Sequence, residues 1–259
     1  MISLMPFVRP RPVADPALRL IVMPHAGGSG STYFPLVKGL PPDWDLLLLD
    51  LPGRGKRHTE PALEDMASVV ALAVDDVLPW AGPPLALFGH SFGGAVATEV
   101  AHVLRDKEAR LDWLGVSGRV APGLDFDPAL LDPDRPDREL MAALAAMGGL
   151  PDRLDELPEF RDRFLALIRT DLHALATYDP MPGRPPLTVP LTVFSGDADP
   201  LAPPSALTGW ARETTGPCRR RTFPGGHFHF FGPSFPDFTR AVVEEIRTAL
   251  AHPRAHTGP

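Results

Sequence analysis

The motif Gly89-His90-Ser91-Phe92-Gly93 constrains the fold of this chain more than any other feature. An apolar run, Leu85 to Phe88, precedes it, and a helical pattern, Gly93 to Leu104, follows it. A G-x-S-x-G sequence in this context places the serine on a sharp strand-to-helix turn, where small flanking residues let strand and helix approach each other. The alternative is a tight glycine turn with an incidental serine, which the strand and helix on either side make the weaker interpretation.

Short apolar runs alternate with longer helical patterns along the rest of the chain. Each run is brief and apolar throughout, which is typical of parallel strands buried on both faces of a sheet. The alternation predicts a doubly wound α/β sheet. The predicted strands are Leu18–Met23, Leu46–Leu49, Leu85–Phe88, Leu114–Ser117 and Leu191–Ser195, and the predicted helices are Leu63–Leu78, Gly93–Leu104, Ser205–Glu213 and Phe238–Ala251.

One region interrupts the alternation. From about Phe126 to Pro180 no convincing strand pattern occurs, whereas Leu140–Met147 and Phe160–Tyr178 are helical in pattern. A helical insertion between two strands is where a lid over the site would lie. With the serine motif, this organisation predicts a single α/β-hydrolase domain over residues 1–259. Its central sheet is mostly parallel and flanked by helices, and the helical lid insertion spans about 126–180.

Composition excludes several classes of protein. The net charge of −7 argues against a general nucleic-acid binder, which would normally be basic. Cys218 is the only cysteine, so no internal disulfide framework exists. The N-terminal residues do not resemble a signal peptide, and no stretch reaches the roughly 18 apolar residues of a membrane span. We therefore expect a cytoplasmic protein without nucleic-acid or membrane partners.

A serine nucleophile needs a base and an acid, which in this fold follow later strands in the order Ser, Asp, His. Asp197 and Asp199 both follow the strand Leu191–Ser195 and compete for the role of the acid, and Asp197 could instead cap the turn, which is a common structural role for aspartate. The last strand, Arg219–Phe223, precedes Gly225-Gly226-His227-Phe228-His229. We prefer His227 as the base because it follows the flexible glycines directly, which leaves His229 as a packed or supporting residue.

The oxyanion that forms on the reacting carbonyl requires two backbone N–H donors. One is expected at Phe92, after the nucleophile, and the other at Ala26 in the glycine-rich loop Met23 to Gly30. Such a loop could instead hold phosphate, but neither G-x-G-x-x-G nor a P-loop pattern is present. No His/Cys/Asp group has metal-ligand spacing, so no metal is predicted.

Taken together, these residues resemble the type II thioesterases of polyketide and nonribosomal peptide biosynthesis. The resemblance covers nearly the whole chain, and the family places its acid about 28 residues before the histidine, as Asp199 stands to His227, which favours Asp199 over Asp197. The chain departs from the family at Met23, His25 and His229, where aromatic residues are usual. The motifs that carry the resemblance are Pro24-His25-Ala26-Gly27-Gly28, Leu51-Pro52-Gly53-Arg54-Gly55, Gly89-His90-Ser91-Phe92-Gly93, Ser117-Gly118-Arg119 with Pro122, Asp171, Tyr178 and Gly226-His227-Phe228.

The resemblance implies hydrolysis of acyl thioesters on the phosphopantetheine arms of acyl or peptidyl carrier domains, as an editing thioesterase with no cofactor of its own. It implies Ser91, Asp199 and His227 as the triad and transient contact with the carrier by a monomer. The alternatives are a carboxylesterase or lipase for small esters, since fold does not fix function, and a non-catalytic binding module. Basic residues that could dock an acidic carrier are Arg54, Lys56, Arg57 and the run Arg219-Arg220-Arg221, although these could equally be solvated surface.

Overall fold

A computed structural model of the chain describes residues 6–124, 132–150, 154 and 158–251. Within these residues the chain forms a seven-stranded sheet in the order β1-β3-β2-β4-β5-β6-β7. β1 pairs antiparallel with β3, and all other neighbouring strands are parallel. The strands are β1 Phe7–Val8, β2 Leu18–Met23, β3 Trp44–Leu49, β4 Leu85–His90, β5 Trp113–Ser117, β6 Leu191–Gly196 and β7 Cys218–Phe223.

The predicted α/β-hydrolase architecture is therefore confirmed, and the predicted strands differ from the observed ones by at most two residues at an end. Every residue of β3, β4, β5 and β6 is buried, as expected of strands covered by helices on both faces. The prediction missed β1, because two residues at an antiparallel edge leave no periodic pattern.

Helices cover both faces of the sheet. The first begins at Met66, three residues later than predicted, because Asp65 caps it by accepting the N–H of Ser68. The predicted helix at Ser205–Glu213 is a 3₁₀ segment, Pro204–Arg212, and a second such segment at Gly30–Lys38 was not predicted. The α-helices are α1 Met66–Val77, α2 Phe92–Asp106, α3 Asp137–Met147, α4 Pro158–Ala176 and α5 Phe235–Ala251.

The insertion between β5 and β6 contains α3 and α4 and, in its described parts (132–150, 154 and 158–180), no strand. Its helices form a small apolar cluster of their own, which includes Leu140, Leu144 and Ile168. The C-terminal end of α4 differs, because Ala174 and Leu175 belong to the main core with α1 and α2. Residues 125–131, 151–153 and 155–157 of the insertion lie outside the described residues, so its extent and the single domain over 1–259 stay predictions.

Candidate active site

Ser91 lies on the strained turn that joins β4 to α2. Its φ of 54° and ψ of −114° are unfavourable for a residue with a side chain, and such strain is characteristic of a nucleophile elbow. A Cβ at Gly89 would overlap the carbonyl of Gly93, and one at Gly93 would overlap the carbonyl of Met23. Both glycines are therefore required by close backbone approach. The turn is anchored by the Ser91 N–H, which donates to the Ser117 carbonyl at 2.8 Å.

The strand order places this turn beside the loop that follows β2. The chain runs from β2 outward to β3 and then crosses back to β4, so the order reverses between β2 and β4. Crevices at such a reversal, outside the carboxyl ends of the strands, are where open α/β sheets bind ligands. Met23 pairs with Gly89 at that edge, which brings the loop carrying Ala26 against the turn carrying Ser91.

His227 and Asp199 meet at the same edge of the sheet, beyond β7 and β6. The His227 Nδ1 lies 3.0 Å and 3.1 Å from the two carboxylate oxygens of Asp199. Both residues are 2% exposed, and Asp199 Oδ1 also accepts the N–H of Leu201 at 2.9 Å. Burial raises the pKa of Asp199, but the hydrogen bonds from His227 and the backbone outweigh it and leave the pKa below its usual value. The pair is thus an ionised carboxylate fixing an imidazole.

Neighbouring contacts place His227 beside Ser91. The ring centroids of His227 and His90 are 4.7 Å apart, and His90 directly precedes Ser91. The Cε1 of His227 lies 2.9 Å from where a Cβ of Gly118 would be, and Gly118 follows the residue that anchors the Ser91 amide. The predicted residues Ser91, Asp199 and His227 are therefore gathered at one place.

The two competing candidates occupy different environments. Asp197 is exposed, and its Oδ1 accepts the N–H of Gly225 at 2.9 Å, so it braces the loop that leads to His227. His229 is 5% exposed and stacks on Phe223 at a centroid distance of 5.4 Å. Neither of its ring nitrogens has a hydrogen-bond partner within the described part of the chain.

Three further histidines surround the site, and burial keeps them neutral. Burial lowers the pKa of His25 to about 3, of His229 to about 4 and of His90 to well below its usual value. His25 is held by the Tyr33 hydroxyl, 2.9 Å from its Nδ1, and packs edge-on against Phe228. Sequence reasoning left His25 as a loop residue, and no local pattern indicated the contact with Tyr33.

In the loop that carries Ala26, most backbone amides donate hydrogen bonds within the described part of the protein, but the Ala26 amide does not. The N–H of Gly27 donates to Asp171, that of Gly28 to the His25 carbonyl and that of Gly30 to Asp50. Across the described residues, no protein acceptor takes the N–H of Ala26 or that of Phe92 at the start of α2. These two amides are the ones predicted to bind an oxyanion.

The prediction that Arg54 and Arg57 could dock a carrier domain is wrong. Arg54 is 5% exposed and forms a two-pronged ion pair with Asp171, whose oxygens lie 2.6 Å from its Nη1 and Nη2. Arg57 is 8% exposed and binds Glu60 and Asp76. A buried, paired guanidinium has no free charge to offer a partner, so neither residue can form a docking patch. The resemblance included Arg54 and Asp171 separately, but no sequence pattern indicated that they pair.

A large cavity lies along the C-terminal half of α4, between this helix, the chain that follows it and the segment after β5, and the proposed catalytic residues Ser91, Asp199 and His227 are not among its lining residues. Its volume is about 1170 Å³. Exposed Leu124 and Met181 stand among its walls, and Arg119, which follows the Gly118 that packs on His227, opens into it. Other walls come from α4 and the chain that follows it, including Leu172, Leu175, Ala176 and Tyr178.

Among the described residues, no group of three His, Cys, Asp or Glu side chains is arranged to hold a metal ion. No described helix is both long and apolar enough to cross a bilayer.

The sheet order, the strained serine turn and the later Asp–His pair define an α/β-hydrolase. Residues 18–250 match the family model described as Thioesterase domain, and the chain belongs to this thioesterase family of hydrolases.

Similar proteins agree with that assignment, and the predicted resemblance to type II thioesterases is confirmed. Thioesterase PikA5 of Streptomyces venezuelae is 37% identical over 220 residues, which are 84% of this chain and 77% of that protein. The RedJ thioesterase of the prodiginine pathway in Streptomyces coelicolor is 37% identical over 91% of each chain, with a TM-score of 0.81. BorB, the type II thioesterase of the borrelidin cluster, is 32% identical over 95% of this chain and 100% of its own, with a TM-score of 0.84.

Proposed function

We propose that this hydrolase is an editing thioesterase of a polyketide or nonribosomal peptide assembly line. It removes acyl groups from the phosphopantetheine arms of acyl or peptidyl carrier domains. Ser91 is the nucleophile, His227 the base and Asp199 the acid. The observation that carries the assignment is the buried His227–Asp199 pair beside the strained Ser91 turn. Membership of the thioesterase family and the names of the similar proteins support the substrate class.

The reaction has two halves in this scheme. Because Asp199 holds the Nδ1 of His227, the Nε2 atom accepts the proton of the Ser91 hydroxyl as its oxygen attacks the thioester carbonyl. The carbon–sulfur bond then breaks, and His227 returns the proton to the pantetheine sulfur. In the second half, water loses a proton to His227 and attacks the acyl-serine ester. The carbon–oxygen bond to Ser91 breaks, and the protonated His227 restores the hydroxyl.

Negative charge forms on the carbonyl oxygen in both halves. The Ala26 and Phe92 amides are the proposed donors to this oxygen, since they lie on adjacent segments at the switch point and are not used elsewhere in the described structure. No cofactor is needed for these steps, because each proton passes between groups of the protein and the substrate.

The cavity along α4 is proposed to hold the acyl chain, and Arg119 is its link to the triad. Its walls reach from Arg119, next to the Gly118–His227 contact, to apolar residues of α4 and to Leu124. The volume of about 1170 Å³ is ample for an extended acyl group. An acyl chain on Ser91 would then have to extend past Arg119 to enter it.

Contact with the carrier is proposed to be weak. Carrier domains are typically acidic, and this chain has a net charge of −7, so overall charge opposes the encounter. Of the basic run on β7, Arg219 and Arg221 are already paired with Glu245. A dissociation constant in the micromolar range or weaker, corresponding to about −8 kcal/mol or less in magnitude, is expected by titration calorimetry. A nanomolar complex would contradict this picture.

The test compares Ser91→Ala with the native protein on matched substrates. Hydrolysis of acyl-carrier thioesters and of the corresponding oxygen esters is measured for both proteins. The native protein should prefer the thioester, and Ser91→Ala should lose activity by about 10⁶. A preference for oxygen esters would instead identify a carboxylesterase. Retention of a tenth of the activity by Ser91→Ala would refute the nucleophile, and no labelling of native Ser91 by a fluorophosphonate would favour a binding module.

A further inference from the structure

A buried ion pair connects the lid insertion to the loop that carries the proposed oxyanion donor. Asp171 lies on α4 and is 1% exposed, and Arg54 follows β3 and is 5% exposed. The guanidinium donates to both carboxylate oxygens at 2.6 Å. The two residues are 117 positions apart in the sequence, so the contact depends entirely on the tertiary fold.

The same carboxylate holds the oxyanion loop. Asp171 Oδ2 accepts the N–H of Gly27 at 2.7 Å, and Arg54 Nη1 lies 3.3 Å from the Gly28 carbonyl. The ion pair therefore binds the backbone of the two residues that follow Ala26. Since a peptide plane is rigid, fixing the Gly27 N–H fixes the plane between Ala26 and Gly27. The preceding plane, which carries the Ala26 N–H, is held by its His25 carbonyl, which accepts the N–H of Gly28 at 2.9 Å.

α4 also packs directly on this loop. Gly27 has a φ of +71°, and a Cβ there would overlap the Ile168 side chain and lie 3.3 Å from Phe164 Cε2. Both side chains belong to α4. Position 27 therefore requires glycine twice, once for its backbone conformation and once for the helix that lies against it.

The C-terminal half of α4 is part of the main body of the fold. Ala174 and Leu175 pack in the core with α1 and α2, and Thr177 Oγ1 accepts the N–H of Met66 at 2.9 Å. Moving this half of α4 would expose the Arg54–Asp171 pair and break core contacts together. Separating buried partners is costly, because each is left as an uncompensated charge.

We propose that Asp171 and Arg54 are positioning residues for the oxyanion loop, and that the half of α4 that carries Asp171 is a fixed part of the catalytic apparatus rather than of a moving lid. Asp171 holds the Gly27 amide so that the Ala26 amide faces the reacting carbonyl, and Arg54 keeps the Asp171 carboxylate oriented. The inference rests on the proposed role of Ala26.

The test compares two double variants that both remove the buried charges. Arg54→Met with Asp171→Leu removes the acceptor for Gly27, whereas Arg54→Met with Asp171→Asn keeps an oxygen that can accept this N–H. Replacing a buried ion pair by uncharged groups of similar volume commonly preserves stability, so both variants should fold. Thermal denaturation of each variant checks this.

The Leu variant should lose kcat by about 10- to 100-fold with little change in KM, less than the loss of a whole oxyanion donor. The Asn variant should lose less, about 2- to 5-fold, because its amide oxygen still accepts the Gly27 N–H although Arg54 no longer orients it. An alkyl boronic acid gives a second reading, because its adduct with Ser91 places a boron-bound oxygen where the oxyanion forms. Its affinity should fall in the Leu variant by the same factor as kcat/KM.

Arg9 and Asp45 provide the matched control. Their ion pair is equally short, at 2.6 Å, but Asp45 lies near the start of β3, at the opposite end of the sheet from Ser91. Arg9→Met with Asp45→Asn should alter stability and leave kcat unchanged. Equal kcat in the Leu and Asn variants, or a loss confined to KM, would overturn the inference. If Ser91→Ala were inactive while those variants matched, the proposed function would stand and only the positioning role would fall.

Discussion

The Oδ2 of Asp199 lies 3.0 Å from the Nδ1 of His227, whereas the exposed carboxylate of Asp197, two residues earlier, accepts the Gly225 amide as its only hydrogen bond in the described structure. In the proposed mechanism, the carboxylate that faces His227 holds the Nδ1 proton and stabilises the imidazolium that forms during the reaction. The carboxylate at position 197 can do neither, because it faces the loop backbone and solvent.

Substituting the two aspartates should therefore give unequal losses. Asp199→Asn should lower kcat by about 10⁴, because the amide no longer stabilises the imidazolium or enforces the productive tautomer. Asp197→Asn keeps an oxygen acceptor for Gly225 and should lower kcat less than about 10-fold, well short of a triad residue. Steady-state kinetics on one acyl thioester, with circular dichroism to verify folding, distinguishes them. The reverse order would exchange their roles.

The choice between Asp197 and Asp199 could be predicted from the sequence only in part. The positions of Asp197 and Asp199 after a strand follow from local pattern, but both satisfy that pattern equally. What separates them is burial, which depends on how the loop turns so that Leu201 and Ala202 donate to Asp199. Only the family spacing favoured the correct neighbour of His227, and no local physical signal did so.

The Arg54–Asp171 pair illustrates the same limit more strongly. The strands of the sheet were predictable because burial on both faces leaves continuous apolar runs such as Leu85–Phe88. A contact across 117 residues leaves no such periodic signal. Arg54 therefore looked like an exposed basic residue beside Lys56, when it is in fact a buried partner of the insertion.

We expect His229 to lower the free energy of unfolding of the protein. Its imidazole is 5% exposed, and neither nitrogen makes a hydrogen bond of good geometry among the described residues, although the nearby backbone of Gly226 and His227 partly offsets the effect of burial on its pKa. Its neighbours Phe223 and Phe238 are aromatic, with centroids 5.4 Å and 5.9 Å away. His229→Phe should raise the free energy of unfolding by about 1 kcal/mol, because it removes a buried polar group without a partner. It should leave kcat nearly unchanged, in contrast to an inactive His227→Ala. Urea denaturation at pH 7 measures the first effect, and destabilisation would mean that the nitrogens are satisfied by solvent.

The same substitution should reduce the sensitivity of the fold to acid. Burial lowers the pKa of His229 to about 4, whereas the unfolded chain has the usual value of 6.5. Between these two pH values the unfolded state binds a proton at this residue and the folded state does not. The free energy of unfolding of the native protein is therefore not reduced by this titration above pH 6.5, and it falls as the pH is lowered from 6.5 toward 4. The free energy of unfolding of His229→Phe, relative to that of the native protein, should therefore increase by about 1.4 kcal/mol for each unit that the pH is lowered within this window. Urea denaturation at several pH values checks this, and a constant difference would show that His229 does not titrate.

In the proposed mechanism, the preferred acyl-chain length of the substrate should depend on the cavity along α4. Ala176 is exposed on α4 and lines this cavity, whereas Ala166 is exposed on the same helix and does not line it. Ala176→Trp should fill part of the space without disturbing the core, and Ala166→Trp is its matched control. We expect Ala176→Trp to lower kcat/KM for a decanoyl thioester by about 10-fold, equivalent to about 1.4 kcal/mol of transition-state binding, and to leave an acetyl thioester unaffected. Ala166→Trp should change neither.

Kinetics on an acyl series from two to twelve carbons, in about six steps, would show that the loss of kcat/KM in Ala176→Trp grows with chain length. Equal losses on all substrates would indicate damage to the triad instead, and no loss on any would place the acyl chain outside this cavity.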